Sequence, residues 1–245
     1  MKIKAAIFDK DGTLFDFQAT WGHWAGQVLR RLSRGDNDLR NALARDLNYD
    51  VAAQKILPGS LVVAGTPAQI ADVIYKHLPH LTISKILTQL NQEAEIAPQV
   101  VVTDLSELAK RLRHRDLKLA IMTNDAERPA KAHLASVGAS SLFDFVIGSD
   151  SGFGAKPNAS PLLALADMME VNPAECVMIG DSTHDLRAAR AAGMPAVAVL
   201  TGLACMLELA PLADAVLQDV TCLSAWIDQQ NSSSLNLMLN VVIGI

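Results

Sequence analysis

Apolar residues follow two rhythms along this chain. Short unbroken runs occur at Lys2–Phe8, Leu119–Met122, Phe145–Ile147, Cys176–Ile179 and Ala196–Leu200, the pattern of strands buried on both faces of a sheet. Between the later runs the spacing turns helical: Pro129–Val137 closed by Gly138, Pro161–Met169, and Asp185–Ala192 closed by Gly193. Proline suits the first turn of a helix, whose N–H groups lack partners anyway, and glycine suits the position just past its end. Strands alternating with such helices make βαβ units. The chain is therefore predicted to be α/β, a doubly wound parallel sheet with helices on both faces.

One segment breaks the alternation. From Phe15 to about Ala97 helical spacing prevails, with Trp21, Trp24, Val28, Leu29 and Leu32 on one stripe and Leu39, Leu43 and Leu47 on another. Thr66-Pro67-Ala68-Gln69 announces a further helix, with Thr as N-cap, Pro at the first helical position and Gln three residues on. The expected organisation is a discontinuous Rossmann-like core, residues 1–14 and 98–230, carrying an all-helical cap domain at 15–97. The tail, 231–245, is polar at Asn231–Ser234 and apolar from Leu235 onward, and no role is assigned to it.

Composition narrows the functional classes. Of 245 residues, 50% are hydrophobic and 19% charged, enough apolar surface for a core and a smaller satellite. The net charge is -5, which provides no basic face for a nucleic-acid backbone; a phosphate ligand has to be held by a local cluster of cations. Cys176, Cys205 and Cys222 show no C-x-x-C spacing, so neither a disulfide framework nor a zinc knuckle is expected, and a cytoplasmic location is. Met1-Lys2-Ile3-Lys4 leads straight into a strand without the apolar stretch of a signal peptide. The uncharged stretch Ala191–Leu207 is interrupted by Gly193, Pro195 and Gly202, so no membrane span or membrane partner is expected.

The chemistry concentrates in Ile7-Phe8-Asp9-Lys10-Asp11-Gly12-Thr13-Leu14, where two carboxylates follow the first strand directly. A polar turn with Asp-Gly punctuation is the plain reading. A calcium loop fails on spacing, since counting from Asp9 the glycine falls at the fourth position and Thr20 stands where a glutamate ligand belongs. The third reading is a nucleophile, Asp9, at the carboxyl edge of the sheet with an acid/base, Asp11, beside it. A phosphoryl group attacked there needs a divalent cation, a lysine and hydroxyl or amide donors. Thr123-Asn124 ends the second strand, Lys156-Pro157 follows the third, and Gly180-Asp181-Ser182-Thr183-His184-Asp185 follows the fourth. Each alone passes for a helix cap or a solvated loop. Together they sit at the carboxyl ends of successive parallel strands, where a doubly wound sheet gathers its ligand groups.

With these motifs the sequence resembles the haloacid dehalogenase superfamily, specifically its helical-cap, phosphoglycolate phosphatase-like phosphatases, over essentially the whole chain to about residue 226. The resemblance implies a phosphatase that forms an aspartyl-phosphate on Asp9, with Asp11 as general acid/base. It further implies Gly12, Thr13, Thr123, Asn124 and Lys156 around the substrate phosphate. Asp9, Asp11 (through its backbone carbonyl) and Asp181 would hold Mg2+, and Asp185 would support them. The implied partner is a small phosphorylated metabolite, and the implied assembly a monomer or homodimer. An acid at position 11 argues against dehalogenation; a phosphomutase of the same superfamily remains the alternative. A response-regulator receiver also uses Asp, Thr and Lys, but takes its acidic pair from the first strand and runs to about half this length. In the cap, Phe15 and Asp16 are expected at its root, Trp21, His23 and Trp24 are candidates to face substrate, and Arg30, Arg31 and Arg34 are candidates to meet a second anionic group. His184 is read as structural, and no role is assigned to His77, His80, His114 or His133.

Overall fold

The computed structural model describes residues 2–232. β1 (Ala5–Phe8) is fully buried, and strand alternation divides it: Ala5 and Ile7 join the apolar cluster on one face of the sheet, Ala6 and Phe8 the cluster on the other. The chain then leaves the sheet through a π-helical turn, Gln18–Gly22, that runs into α1 (His23–Ser33), followed by α2 (Asn37–Asp46), a hairpin of β2 (Tyr49–Asp50) and β3 (Lys55–Ile56), α3 (Pro67–His77) and α4 (Ile83–Glu95). It returns through α5 (Leu105–Arg113) to β4 (Lys118–Met122), α6 (Glu127–Ser136), β5 (Phe145–Ile147), α7 (Ser160–Met168), β6 (Cys176–Gly180), α8 (Thr183–Ala191), β7 (Ala196–Val199), α9 (Met206–Leu209) and β8 (Ala215–Leu217).

Six strands form one parallel sheet in the order β5-β4-β1-β6-β7-β8. Strand order runs outward in both directions from β1 and β6, which puts the topological switch point, and so the crevice between diverging loops, at the carboxyl end of β1. Helices cover both faces, α5 contributing Leu108 and Leu112 to one cluster and α8 contributing Leu186 and Ala189 to the other.

The insert packs around its own apolar cluster, in which Trp24, Leu29, Leu43, Ile74, Ile86 and Leu90 are buried together. α3 opens with the expected capping box, Gln69 N donating to Thr66 Oγ1 at 3.4 Å and Thr66 N to Gln69 Oε1 at 2.8 Å. Outgoing and returning chains lie side by side: Asp16 N donates to Val100 O (2.8 Å), Val102 N to Leu14 O (2.9 Å), and Phe15 and Val101 form an antiparallel bridge.

Three details differ from the sequence expectations. β1 begins at Ala5 instead of Lys2. The insert is helical except for the β2–β3 hairpin. β8 has no counterpart among the expected strands; only three half-buried residues long, it is too short to show a periodicity. Residues 231 and 232 continue a helix that starts at 223, and the rest of the tail lies outside the described residues.

Candidate active site

β1 ends at Phe8, so Asp9 is the first residue past the sheet, and Lys156, on the loop after β5, reaches back to it. Lys156 Nζ donates to Asp9 Oδ1 at 2.5 Å and to Met122 O at 2.8 Å, and lies 2.6 Å from Asp185 Oδ1. Burial disfavours the ammonium, but the Asp185 and Asp9 carboxylates outweigh it and hold its pKa above that of an ordinary lysine. Lys156 is thus a fixed cation between two carboxylates.

Asp181 sits just past β6 and accepts a hydrogen bond from Thr13 Oγ1 at 3.2 Å. Its surroundings are made of glycine: a Cβ at Gly12, whose φ is +85°, would lie 2.4 Å from Asp181 Oδ2, and a Cβ at Gly202 would lie 1.7 Å from it. Both positions must stay bare for this carboxylate to occupy its place. Thr201, beside Gly202, ties the same loop down by donating to Gly12 O at 2.6 Å. Asp185, in the first turn of α8, caps that helix, accepting from Ser182 N (3.0 Å) and Ser182 Oγ (2.6 Å) through Oδ2.

Asp9, Asp181 and Asp185 therefore bring three buried carboxylates together, with oxygens within 4.8 Å of one another. Lys156 balances only part of this charge. Burial pushes Asp9 up to about 7, with Asp185 and Asp11 adding to the rise and Lys156 opposing it. Asp181 is raised well above the carboxylate range by burial and by the charges of Asp9 and Asp185. A dry, oxygen-only donor set with excess negative charge fits a divalent cation. Asp11 does not join this cluster through its side chain, which pairs with Lys10.

The sequence profile of the haloacid dehalogenase-like hydrolase matches residues 3–193. The chain belongs to that family. This hydrolase is 30% identical to the phosphoglycolate phosphatase of Rhodospirillum rubrum over 233 residues, covering 91% of this chain and 90% of that one. It is also 30% identical to the phosphoglycolate phosphatase of Xanthomonas campestris, over 81% of this chain and 84% of that one. Among solved structures, the fold superposes on a β-phosphoglucomutase from Clostridium difficile with a TM-score of 0.69 at 18% identity, covering 96% of this chain and 99% of that one. A haloacid dehalogenase-type phosphatase from Thermococcus onnurineus gives a TM-score of 0.66 at 23% identity, over 92% and 98% of the two chains. The chain is accordingly an enzyme, in the phosphatase branch of the hydrolase family.

Around the cluster, Thr123 follows β4, its hydroxyl accepting from Asp125 N at 3.1 Å and facing the same cavity as Asp9. Asn124 is occupied otherwise: its Nδ2 donates to Lys156 O (2.9 Å) and to Ala64 O of the insert (2.7 Å), while its Oδ1 accepts from Lys156 N (2.9 Å). It fastens the lysine loop and pulls the segment between α2 and α3 down onto the sheet edge. Thr13 serves Asp181, as Gly12 does by having no side chain.

In this hydrolase the residues that sequence reasoning passed over form a second buried group. Lys10 is fully buried, its Nζ 2.7 Å from Asp11 Oδ1, 2.6 Å from Asp11 Oδ2, 4.0 Å from Asp125 Oδ2 and 2.9 Å from His133 Nδ1, with the rings of Phe15 and Trp21 close above it. An ammonium can only donate, so His133 Nδ1 is the acceptor and Nε2 carries the proton it gives to Ala94 O, 2.6 Å away at the end of α4. Burial and the neighbouring Lys10 hold His133 down to about 4, a neutral imidazole. Asp125 is pushed up to about 7 by burial, with Lys10 opposing. No local motif announces this chain of contacts, because Lys10 and His133 are 123 positions apart.

The insert closes a cavity of about 50 Å³ over the carboxylates. Trp21 and Trp24 line it, as the sequence allowed, packed edge to face with ring centres 5.1 Å apart. His23 is exposed, Arg31 pairs with Glu93 at 2.7 Å, and Arg30 and Arg34 line separate surface depressions. His184, read as structural, borders the cavity, and burial lowers its pKa.

Proposed function

We propose that this chain is a Mg2+-dependent phosphatase that hydrolyses a small phosphomonoester through an aspartyl-phosphate on Asp9. The 2.5 Å contact between Asp9 and Lys156 beside a three-carboxylate cluster is the observation that carries the reading. Asp9 attacks phosphorus, the ester P–O bond breaks, and Asp11 gives its proton to the departing alkoxide. Asp11 then takes a proton from water, whose oxygen attacks the same phosphorus and releases Asp9 and inorganic phosphate. Lys156 and the Thr123 hydroxyl hold the phosphoryl oxygens throughout. Asp9, Asp181 and the Asp11 carbonyl, with Asp185 in support, would hold Mg2+, which would supply neutralisation of phosphoryl charge.

We further read residues 1–14 and 98–230 as the catalytic core and 15–97 as a cap that excludes water from the aspartyl-phosphate. The apolar wall that the cap presents supports a phosphatase over the mutase alternative, which has to hold a polar sugar while it turns round. A cytoplasmic enzyme accords with three free cysteines and with no described helix being long and apolar enough to cross a membrane. Phosphate release from nitrophenyl phosphate tests the reading: turnover with Mg2+ that stops on chelation supports it, and turnover indifferent to chelator overturns the metal assignment.

A further inference from the structure

The wall that faces the leaving group is built almost wholly from apolar side chains of the insert. Trp21, Val62, Ile70, Leu90 and Ala94 line the cavity, and Asn91 is the one side-chain amide, hydroxyl or charged group in the insert's contribution. Among the described residues, Asn91 makes no side-chain hydrogen bond with the protein, so its amide is free for a ligand. Cations are scarce. Among the described residues, Lys156 is the sole lysine or arginine on the cavity wall, and it already serves Asp9, Asp185 and Met122 O. Lys10 lies behind the wall, bound to Asp11 and His133. The arginines of α1 point elsewhere, with Arg31 paired to Glu93. The cleft that adjoins the cavity adds Glu208 and no further cation.

From this distribution we propose that the alcohol half of the substrate is uncharged and largely apolar, with a single hydrogen-bonding group directed at Asn91. The inference rests on the phosphatase reading above and narrows its substrate. A carboxylate on the alcohol would have to shed its water against indole and isoleucine with no lysine or arginine in reach except Lys156, which already serves Asp9, Asp185 and the phosphoryl group. This sets the chain apart from relatives named for phosphoglycolate, whose alcohol half carries a carboxylate.

Two esters of nearly equal size, propyl phosphate and phosphoglycolate, decide the matter. Measured on the full chain with Mg2+, kcat/KM for propyl phosphate is expected to exceed that for phosphoglycolate by about tenfold or more, the usual cost of leaving a buried polar group unpaired. Asn91→Arg supplies the missing cation and should move the ratio toward phosphoglycolate by about tenfold. Phosphoglycolate turned over by the wild-type protein as well as propyl phosphate overturns the proposal, whatever the variant does. Release of phosphate from neither ester nor from nitrophenyl phosphate is a failure of the phosphatase reading instead. Calorimetric binding of the two esters to the Mg2+-loaded protein then tests selectivity directly: tighter binding of propyl phosphate supports the proposal, and equal or tighter binding of phosphoglycolate overturns it.

Discussion

Asp9 is a carboxylate pulled two ways, by burial and its acidic neighbours toward neutrality and by Lys156 toward charge. Replacing it by Asn keeps the shape and a hydrogen-bond acceptor for Lys156 but removes the proposed nucleophile. Asp9→Asn is expected to lose at least about 10³-fold in kcat with an unchanged circular dichroism spectrum; substantial residual turnover would remove Asp9 from the nucleophile's role. Gly202 is a subtler case. Its missing side chain leaves room for Asp181, so Gly202→Ala forces that carboxylate aside. Mg2+ affinity, read from the concentration dependence of activity, should fall by about tenfold or more. Asp9, Asp181 and Lys156 were legible in the sequence because each lies on the segment that leaves the carboxyl end of a strand; Gly202 follows β7 in the same way, but a Thr-Gly pair after a strand reads as an ordinary turn.

Helices α4 and α6 meet through His133, which receives a hydrogen bond from Lys10 and passes one to the last turn of α4. The folded protein keeps this imidazole neutral down to about 4, whereas in the unfolded chain it takes a proton near the ordinary 6.5. The unfolded state therefore binds more protons between those values, and stability is lost as pH falls from about 6.5 toward about 4, by on the order of 3 kcal/mol in all. His133→Gln has no such proton to take up. Its loss of stability between about pH 7 and pH 5, followed by urea denaturation, should be about 2 kcal/mol smaller than the wild-type loss; parallel curves would mean that His133 is not held neutral. At this scale the sequence was informative about strands and helices with strong periodicity, such as β6 and α3. It was silent about β8, which is too short, and about the Lys10–His133 link, whose members lie on different elements and are brought together only by packing of the insert on the sheet.

At the scale of the whole molecule, three buried carboxylates, Asp9, Asp181 and Asp185, converge at the switch point of the sheet while the insert turns apolar groups toward them. In the metal-free fold Asp9, at about 7, and Asp181, higher than normal, hold protons that the unfolded chain gives up near 3.8. Stability of the metal-free protein therefore declines as pH rises from about 4 to about 7. A cation has to expel those protons, so its binding strengthens over the same range. The rise in melting temperature on adding Mg2+ is expected to be larger at about pH 7.5 than at about pH 5.5; equal rises would exclude these carboxylates as the ligands. The two passages between sheet and insert, paired from Leu14–Val102 to Asp16–Val100, carry a mechanical implication. Two strands bonded edge to edge flex together and resist shearing past one another, as a strap hinge does. Any movement of the insert against the sheet would thereby be confined to a swing about that pair, with ester entry and phosphate release expected at the two ends of one stroke.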